Sequence, residues 1–216
     1  MDKNSVIKGT AVRDSWRMFH ILAEFVEGFE TLADIGPAVS IFGSARVAPD
    51  SPIYAKAEEI GRQLARHGFA VITGGGPGVM EAANKGAAEE GGTSVGLRIE
   101  MSTNETYNSY CNRVLSFRYF FVRKVMFIKY AMAYVILPGG YGTLDECFEA
   151  LNLIVTEKSR QFPVIFVGTE YWQGLFEWIR TTAFKSRTLS PDDMELFQVI
   201  DEPEQIVKSI KRVVAL

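Results

Sequence analysis

Short, uninterrupted apolar runs alternate with stretches of helical periodicity along most of this 216-residue chain, and that alternation narrows the possible folds more than any other feature. Strands are predicted at Val39 to Phe42, Ala70 to Thr73, Thr93 to Leu97, Arg113 to Phe117, Tyr134 to Leu137, Pro163 to Val167 and Phe197 to Ile200. Helices are predicted between and after them, at Ile53 to Arg66, Val79 to Glu89, Tyr119 to Met132, Leu144 to Val155, Tyr171 to Phe184 and Pro203 to Val213. Strands that alternate with helices imply a parallel sheet covered on both faces. Strands buried on two sides read as continuous hydrophobic runs, as Val-Ser-Ile-Phe and Tyr-Val-Ile-Leu do here. The expected class is therefore α/β, a doubly wound parallel sheet with helices on both faces. An amphipathic helix over Val12 to Leu32, with Val12, Trp16, Phe19, Leu22, Val26 and Phe29 at helical spacing, should precede it. The expected division is a helical extension over residues 1–36 and a single domain over 37–216.

Sheets of this kind bind ligands beyond the carboxyl ends of their strands, and three small-residue loops fall at such ends. The most telling is Pro138-Gly139-Gly140-Tyr141-Gly142-Thr143-Leu144-Asp145-Glu146. Glycines let successive N–H groups converge on one point, and the following helix adds the positive end of its dipole, roughly half a charge. This makes a phosphate site without a cluster of lysines. Glu146 should lie in the first turn of that helix. Its structural alternative is a capping box, in which Thr143 caps the helix and Glu146 returns a hydrogen bond.

The second loop is Thr73-Gly74-Gly75-Gly76-Pro77-Gly78-Val79-Met80-Glu81. So many glycines suggest backbone amides offered to a ligand, with Met80 packed on a flat base, although they also permit close helix–sheet packing. Glu81 can serve the helix dipole alone. The first loop, Gly43-Ser44-Ala45-Arg46, lets a ligand approach, but a tight turn with a solvent-facing arginine explains it as well. One helix carries Phe120-Phe121-Val122-Arg123-Lys124-Val125-Met126-Phe127. Phe120 and Phe127 share the face of Arg123, so the guanidinium needs a substrate oxygen or a carboxylate such as Glu146, unless it snorkels to the surface. Lys124 is expected to be solvated or paired.

The remaining composition removes several function classes. A net charge of −3 disfavours a general nucleic-acid binder. No apolar run is long enough to span a bilayer, and Met1-Asp2-Lys3-Asn4 does not read as a secretion signal, so no membrane partner and a cytoplasmic location are expected. Cys111 and Cys147 form no CxxC pair, and His20 and His67 have no neighbouring ligands in sequence, so no metal is expected. Cys147 reads as a core residue. The glycine loops lack the GxGxxG spacing, and no GxxxxGK[ST] occurs.

Thr73 to Glu81, Arg123-Lys124 and the PGGxGTxxE match at Pro138 to Glu146 occur in an order that resembles the Lonely Guy family, cytokinin riboside 5′-monophosphate phosphoribohydrolases. The resemblance covers about Pro37 to Val167, and Asp14-Ser15-Trp16-Arg17 with Glu24 to Glu30 look like the longer bacterial branch. It implies a Rossmann-like nucleotide-binding domain and hydrolysis of the N-glycosidic bond of adenosine-type monophosphates without a cofactor. It implies that Arg123 and Glu146 match the catalytic pair. The substrate would meet Gly43, Ser44, Gly75, Gly76, Gly78, Met80, Glu81, Lys124, Gly139, Gly140, Tyr141, Gly142 and Thr143. A homo-oligomer, dimer or larger, is also implied. Many such sequences carry the label lysine decarboxylase, yet no pyridoxal-phosphate lysine with a supporting acid is recognisable. The alternative from another class is a non-catalytic carrier of a phosphorylated ligand such as molybdenum cofactor.

Overall fold

The computed structural model describes residues 3–100, 107–158 and 162–213; the side chains of residues 3–14, Val12 and Asp14 among them, lie outside it. Its seven strands are β1 Ala38–Phe42, β2 Ala70–Thr73, β3 Ser94–Ile99, β4 Arg113–Phe117, β5 Ala131–Ile136, β6 Val164–Phe166 and β7 Phe197–Val199. The helices are α1 Lys3–Leu32, α2 Pro52–Arg66, α3 Val79–Glu89, α4 Phe120–Tyr130, α5 Tyr141–Val155, α6 Thr169–Trp178 and α7 Pro203–Val213. The strands form one sheet in the order β4-β3-β2-β1-β5-β6-β7, and every pairing is parallel. This is a Rossmann-like arrangement. The chain leaves β1 towards β2 on one side and returns as β5 on the other, so the order reverses between β1 and β5.

Strand alternation builds two apolar layers. Ala38 and Phe42 of β1, Tyr134 and Ile136 of β5 and Ile72 of β2 face one layer, which α4, α5 and α6 cover. Val39, Ile41, Val71, Ala133 and Val135 face the other, under α2, α3 and α7. Local signals set the helix ends where they are present. Ser51 accepts a hydrogen bond from the Tyr54 N–H at 3.2 Å, and Pro52 opens α2.

Three expectations shift. The predicted apolar stripe of α1 is not its buried face: Trp16, Phe19, Leu22, Val26 and Phe29 are exposed, while Gly28 and Leu32 are buried and Ile21 and Phe25 pack on the core. Gly28 lies against Met126 of α4, so the close contact turns the helix onto that side. Secondly, α4 stops at Tyr130 and β5 starts at once at Ala131, because Ala131 takes an extended ψ of 139°. Thirdly, α5 starts a full turn before Leu144, at Tyr141.

Candidate active site

The carboxyl ends of β1, β2 and β5 are held together through one residue. The Ser44 N–H donates to the Pro138 carbonyl at 2.9 Å, and the Ser44 carbonyl accepts from the Val79 N–H at 3.1 Å. Gly78 takes a φ of +68°, and a Cβ there would stand 2.5 Å from the Ser44 carbonyl oxygen. A side chain at that position would therefore force the first and second loops apart. Between these loops and the start of α5 lies a cleft of about 830 Å³.

One wall of the cleft is Gly139 to Thr143. Gly140 precedes the helix, and no side chain caps this end. The opening amides of α5 thus carry the unneutralised positive end of the dipole towards the cleft. The Tyr171 hydroxyl fixes the approach from below by donating to the Gly139 carbonyl at 2.9 Å. The early helix start also removes the capping box. Thr143 is already the third helical residue and its N–H donates to the Gly140 carbonyl at 3.0 Å, so Glu146 falls in the second turn rather than the first. Its capping role, the structural alternative above, is absent.

Glu146 instead lines the cleft while being only 5% exposed. Its Oε1 lies 3.9 Å from Nη2 of Arg123 and 3.9 Å from Nζ of Lys124. Burial pushes its carboxyl from an ordinary 4.5 up to about 7, although Lys124 and Arg123 pull the other way. Desolvation outweighs both cations, because neither is at hydrogen-bonding distance. Arg123 also lines the cleft, its guanidinium 5.2 Å from the Phe120 ring centre and 5.6 Å from that of Phe127. The adjacent Cys147 is buried, and its thiol is pushed up to about 12, as suits a core residue.

Gly43, Ser44, Gly76 and Met80 join these residues on the cleft wall. Gly75, Gly78, Glu81 and Lys124 do not. Gly75 and Gly78 are buried turn residues with positive φ, Glu81 accepts from the Tyr54 hydroxyl at 3.2 Å, and Lys124 turns to Asp145 and Glu149 at 2.8 and 2.6 Å. Arg46, given a solvent-facing alternative above, borders the cleft and is exposed. Phe42, Tyr107, Phe127 and Tyr171 also border it and were not singled out as ligand contacts. They come from a strand end, a loop and two helices with no shared motif, so only the folded arrangement assembles them.

A buried polar network supports the second loop. Thr73 Oγ1 accepts from the Gly75 N–H at 3.0 Å and donates to Asn84 Oδ1 at 2.5 Å. Asn108 donates to the Gly76 carbonyl at 2.9 Å and to Asn84 Oδ1 at 3.2 Å. These bonds satisfy groups that would otherwise be costly to bury.

Residues 80–210 match the family profile described as "Possible lysine decarboxylase". The chain is 25% identical over 174 residues to a pyrimidine/purine nucleotide 5′-monophosphate nucleosidase of Escherichia coli K12, an alignment covering 74% of this chain and 37% of that protein. It thus spans a little over a third of that relative's length. It is 28% identical over 169 residues to a cytokinin riboside 5′-monophosphate phosphoribohydrolase of Mycobacterium tuberculosis, covering 74% of this chain and 88% of the relative. Among solved structures it resembles the molybdenum cofactor carrier protein of Chlamydomonas reinhardtii, with a TM-score of 0.59, 24% identity and coverage of 83% of this chain and 99% of that one.

The decarboxylase description implies pyridoxal phosphate, and the donor set does not fit it. That cofactor needs a lysine facing it, able to lose its proton. Among the described residues no lysine lines the cleft, and the ammonium of Lys124, beside Arg123, is bound by two carboxylates that hold its proton more firmly than usual.

Proposed function

This chain belongs to the "Possible lysine decarboxylase" family, which includes the Lonely Guy phosphoribohydrolases, and from that premise we propose that it hydrolyses the N-glycosidic bond of adenine-type nucleoside 5′-monophosphates to free base and ribose 5-phosphate. The observation that carries the reading is Glu146: a nearly buried carboxyl with a pKa of about 7, on a cleft that also presents Arg123 and an uncapped helix start. A group poised near neutral pH can hold and release a proton at working pH.

In this reading the 5′-phosphate rests on the amides and hydroxyl of Gly139 to Thr143. The ribose lies between that cradle and Glu146, with the base towards Met80 and the second loop. As the bond from C1′ to the base nitrogen lengthens, the ribose gains oxocarbenium character. Ionised Glu146 stabilises that charge and takes a proton from the attacking water, whose oxygen bonds to C1′. The departing base carries off the bonding electron pair and is protonated in turn. Arg123 orients the phosphosugar and keeps the ionised form of Glu146 accessible. General-base action supplies about 10²–10⁴-fold. Enzymes commonly reach about 10⁶-fold or more, so phosphate binding must be used to place the ribose.

The E. coli relative's name covers pyrimidine as well as purine nucleotides, so a panel of AMP, CMP and adenosine is the test, with free base and ribose 5-phosphate measured by chromatography. AMP should be cleaved fastest, and adenosine should lose at least about a hundredfold in kcat/KM, equivalent to roughly 3 kcal/mol of phosphate-derived stabilisation. Equal rates on AMP and adenosine would remove the phosphate cradle from the mechanism. Nucleotide bound tightly and never cleaved would support the carrier reading, for which the likeness to the algal carrier supplies the fold alone.

We further propose a homo-oligomer, dimer or larger, acting in the cytoplasm. Its support is the family resemblance, the exposed Trp16, Phe19, Leu22 and Val26 on α1, and two cysteines that are both unpaired. No described helix is long and apolar enough to cross a membrane. Light scattering on the purified protein, with Phe19→Asp for comparison, reads the oligomer directly.

A further inference from the structure

Arg123 and Lys124 are neighbours in sequence, yet they treat Glu146 differently. Successive helical residues point about 100° apart. Arg123 faces the cleft, whereas Lys124 stands behind its wall. The Lys124 ammonium has three protons to donate. It meets Glu149 Oε2 at 2.6 Å and Asp145 Oδ2 at 2.8 Å, and it stops 3.9 Å from Glu146 Oε1. The last distance is too long for a hydrogen bond. Glu149 lies three residues after Glu146, on a neighbouring part of α5. Of the two partners of Lys124 it is nearer and better shielded, its side chain 34% exposed against 62% for Asp145. Salt and water should therefore loosen the Asp145 contact first.

We propose that Glu149 is a positioning residue for the reaction: it tethers the Lys124 ammonium behind Glu146, so that the cation acts on the catalytic carboxylate through space without capturing it in a hydrogen bond. The proposal rests on the reading of Glu146 given above.

The tether matters because a charge-assisted hydrogen bond differs from a field. At about 2.8 Å the ammonium would hold Glu146 as a carboxylate, lower its pKa and so weaken it as an acceptor of the water proton. At 3.9 Å it moderates the effect of burial without that bond. Other charged or titratable groups acting with Glu146 are Arg123 on α4, Glu149 and Asp145 on its own helix, whose charges raise its pKa directly, and the buried hydroxyl of Tyr134 on β5; the direct effect of Glu149 persists without Lys124, which is what the double variant separates from the tether. Arg46 borders the same cleft. Of these Asp145 also holds Lys124, through the more exposed contact.

The experiment compares Glu149→Gln, Lys124→Met and the double variant by kcat/KM against pH, with AMP as substrate. In parallel, the Glu146 carboxyl is titrated directly by carbon-13 NMR, assigned with Glu146→Gln. Glu149→Gln should lower the Glu146 pKa by about half a unit or more, with a reduced plateau rate and little change in melting. Lys124→Met should raise it. In the Lys124→Met background, Glu149→Gln should do much less, since no cation remains to restrain. An unmoved titration in Glu149→Gln, or an equal shift with and without Lys124, would overturn the tether. Should Glu149→Gln fail to fold, Glu149→Asp keeps the charge, shortens the reach and should shift the titration in the same direction. The NMR arm needs no turnover, so absence of AMP cleavage in the wild type would refute the hydrolase reading while the tether is still judged by the carboxyl titration.

Discussion

A Cβ placed on Gly140 or Gly142 meets nothing within 4 Å, whereas one on Gly75 would stand 3.2 Å from Gly96 Cα and one on Gly78 would stand 2.5 Å from the Ser44 carbonyl oxygen. The two turns look alike in sequence, but they use glycine differently. The turn before α3 needs positive φ at Gly75 and Gly78 and backbone touching backbone, and both glycines are buried. The turn before α5 leaves Gly140 and Gly142 exposed, with vacant space above them. Glycine richness alone does not separate a packed turn from an open one; what a side chain would collide with does.

That contrast can be attacked from both sides. The largest effect should come through the helix launched by the open turn. Glu146→Gln is expected to lower turnover by about 10²–10⁴-fold. A variant keeping a tenth or more of wild-type turnover would make the carboxylate dispensable. In the wild type the carboxylate is the active form, so the rate should rise with pH through about 7. The same substitution should reveal strain in the fold. The folded pKa of Glu146 is raised from 4.5 to about 7, so its favourable contribution is complete below pH 4.5 and lost as pH rises through 7. Glutamine never ionises, and Glu146→Gln should therefore melt higher than wild type at pH 8, by up to about 3 kcal/mol, and alike at pH 4.

Next in size, Gly78→Ala should cost about 3 kcal/mol or more, combining a left-handed backbone with a collision, and should be read as lost soluble protein or a lowered melting temperature. Gly142→Ala should do the reverse. The fold should be unharmed, or stabilised by up to about 1 kcal/mol, because alanine suits a helix better. The Kd for AMP should nevertheless rise by roughly tenfold, since the new methyl occupies the space proposed for phosphate. Unchanged AMP binding would make the open turn a mere gap, and intact melting in Gly78→Ala would erase the distinction.

The sheet was legible because its strands are buried on both faces, and that condition writes itself into the sequence as unbroken apolar runs such as Tyr134-Val135-Ile136, although the start of that strand at Ala131 was read as helix. Helix ends were less legible where no side chain marks them. The start of α5 was expected a turn late because Thr143 and Glu146 have the spacing of a capping box, while the real start at Tyr141, behind Gly140, uses no side-chain cap. On α1 the larger side chains suggested the wrong buried face: aromatic size drew attention to Trp16 and Phe19, but the contact with α4 is made where Gly28 allows Met126 to come close. In the cleft, the motif residues Gly139 to Thr143, Arg123 and Glu146 converge. Tyr107 and Tyr171 stand beside them only because a loop and a helix start far apart in sequence meet at one edge of the sheet.

The main chain of Ser44 has a mechanical consequence. Its amide end fastens the chain leaving β5 and its carbonyl end fastens the chain entering α3, so the two rims are riveted to a common pin. They cannot spread to admit a bulkier guest without breaking one of these two bonds. Accommodation must instead come from the flanks, where Tyr107 and Tyr171 stand, and a proline at position 44 would pull out half the rivet while leaving every side chain of the cleft other than its own in place.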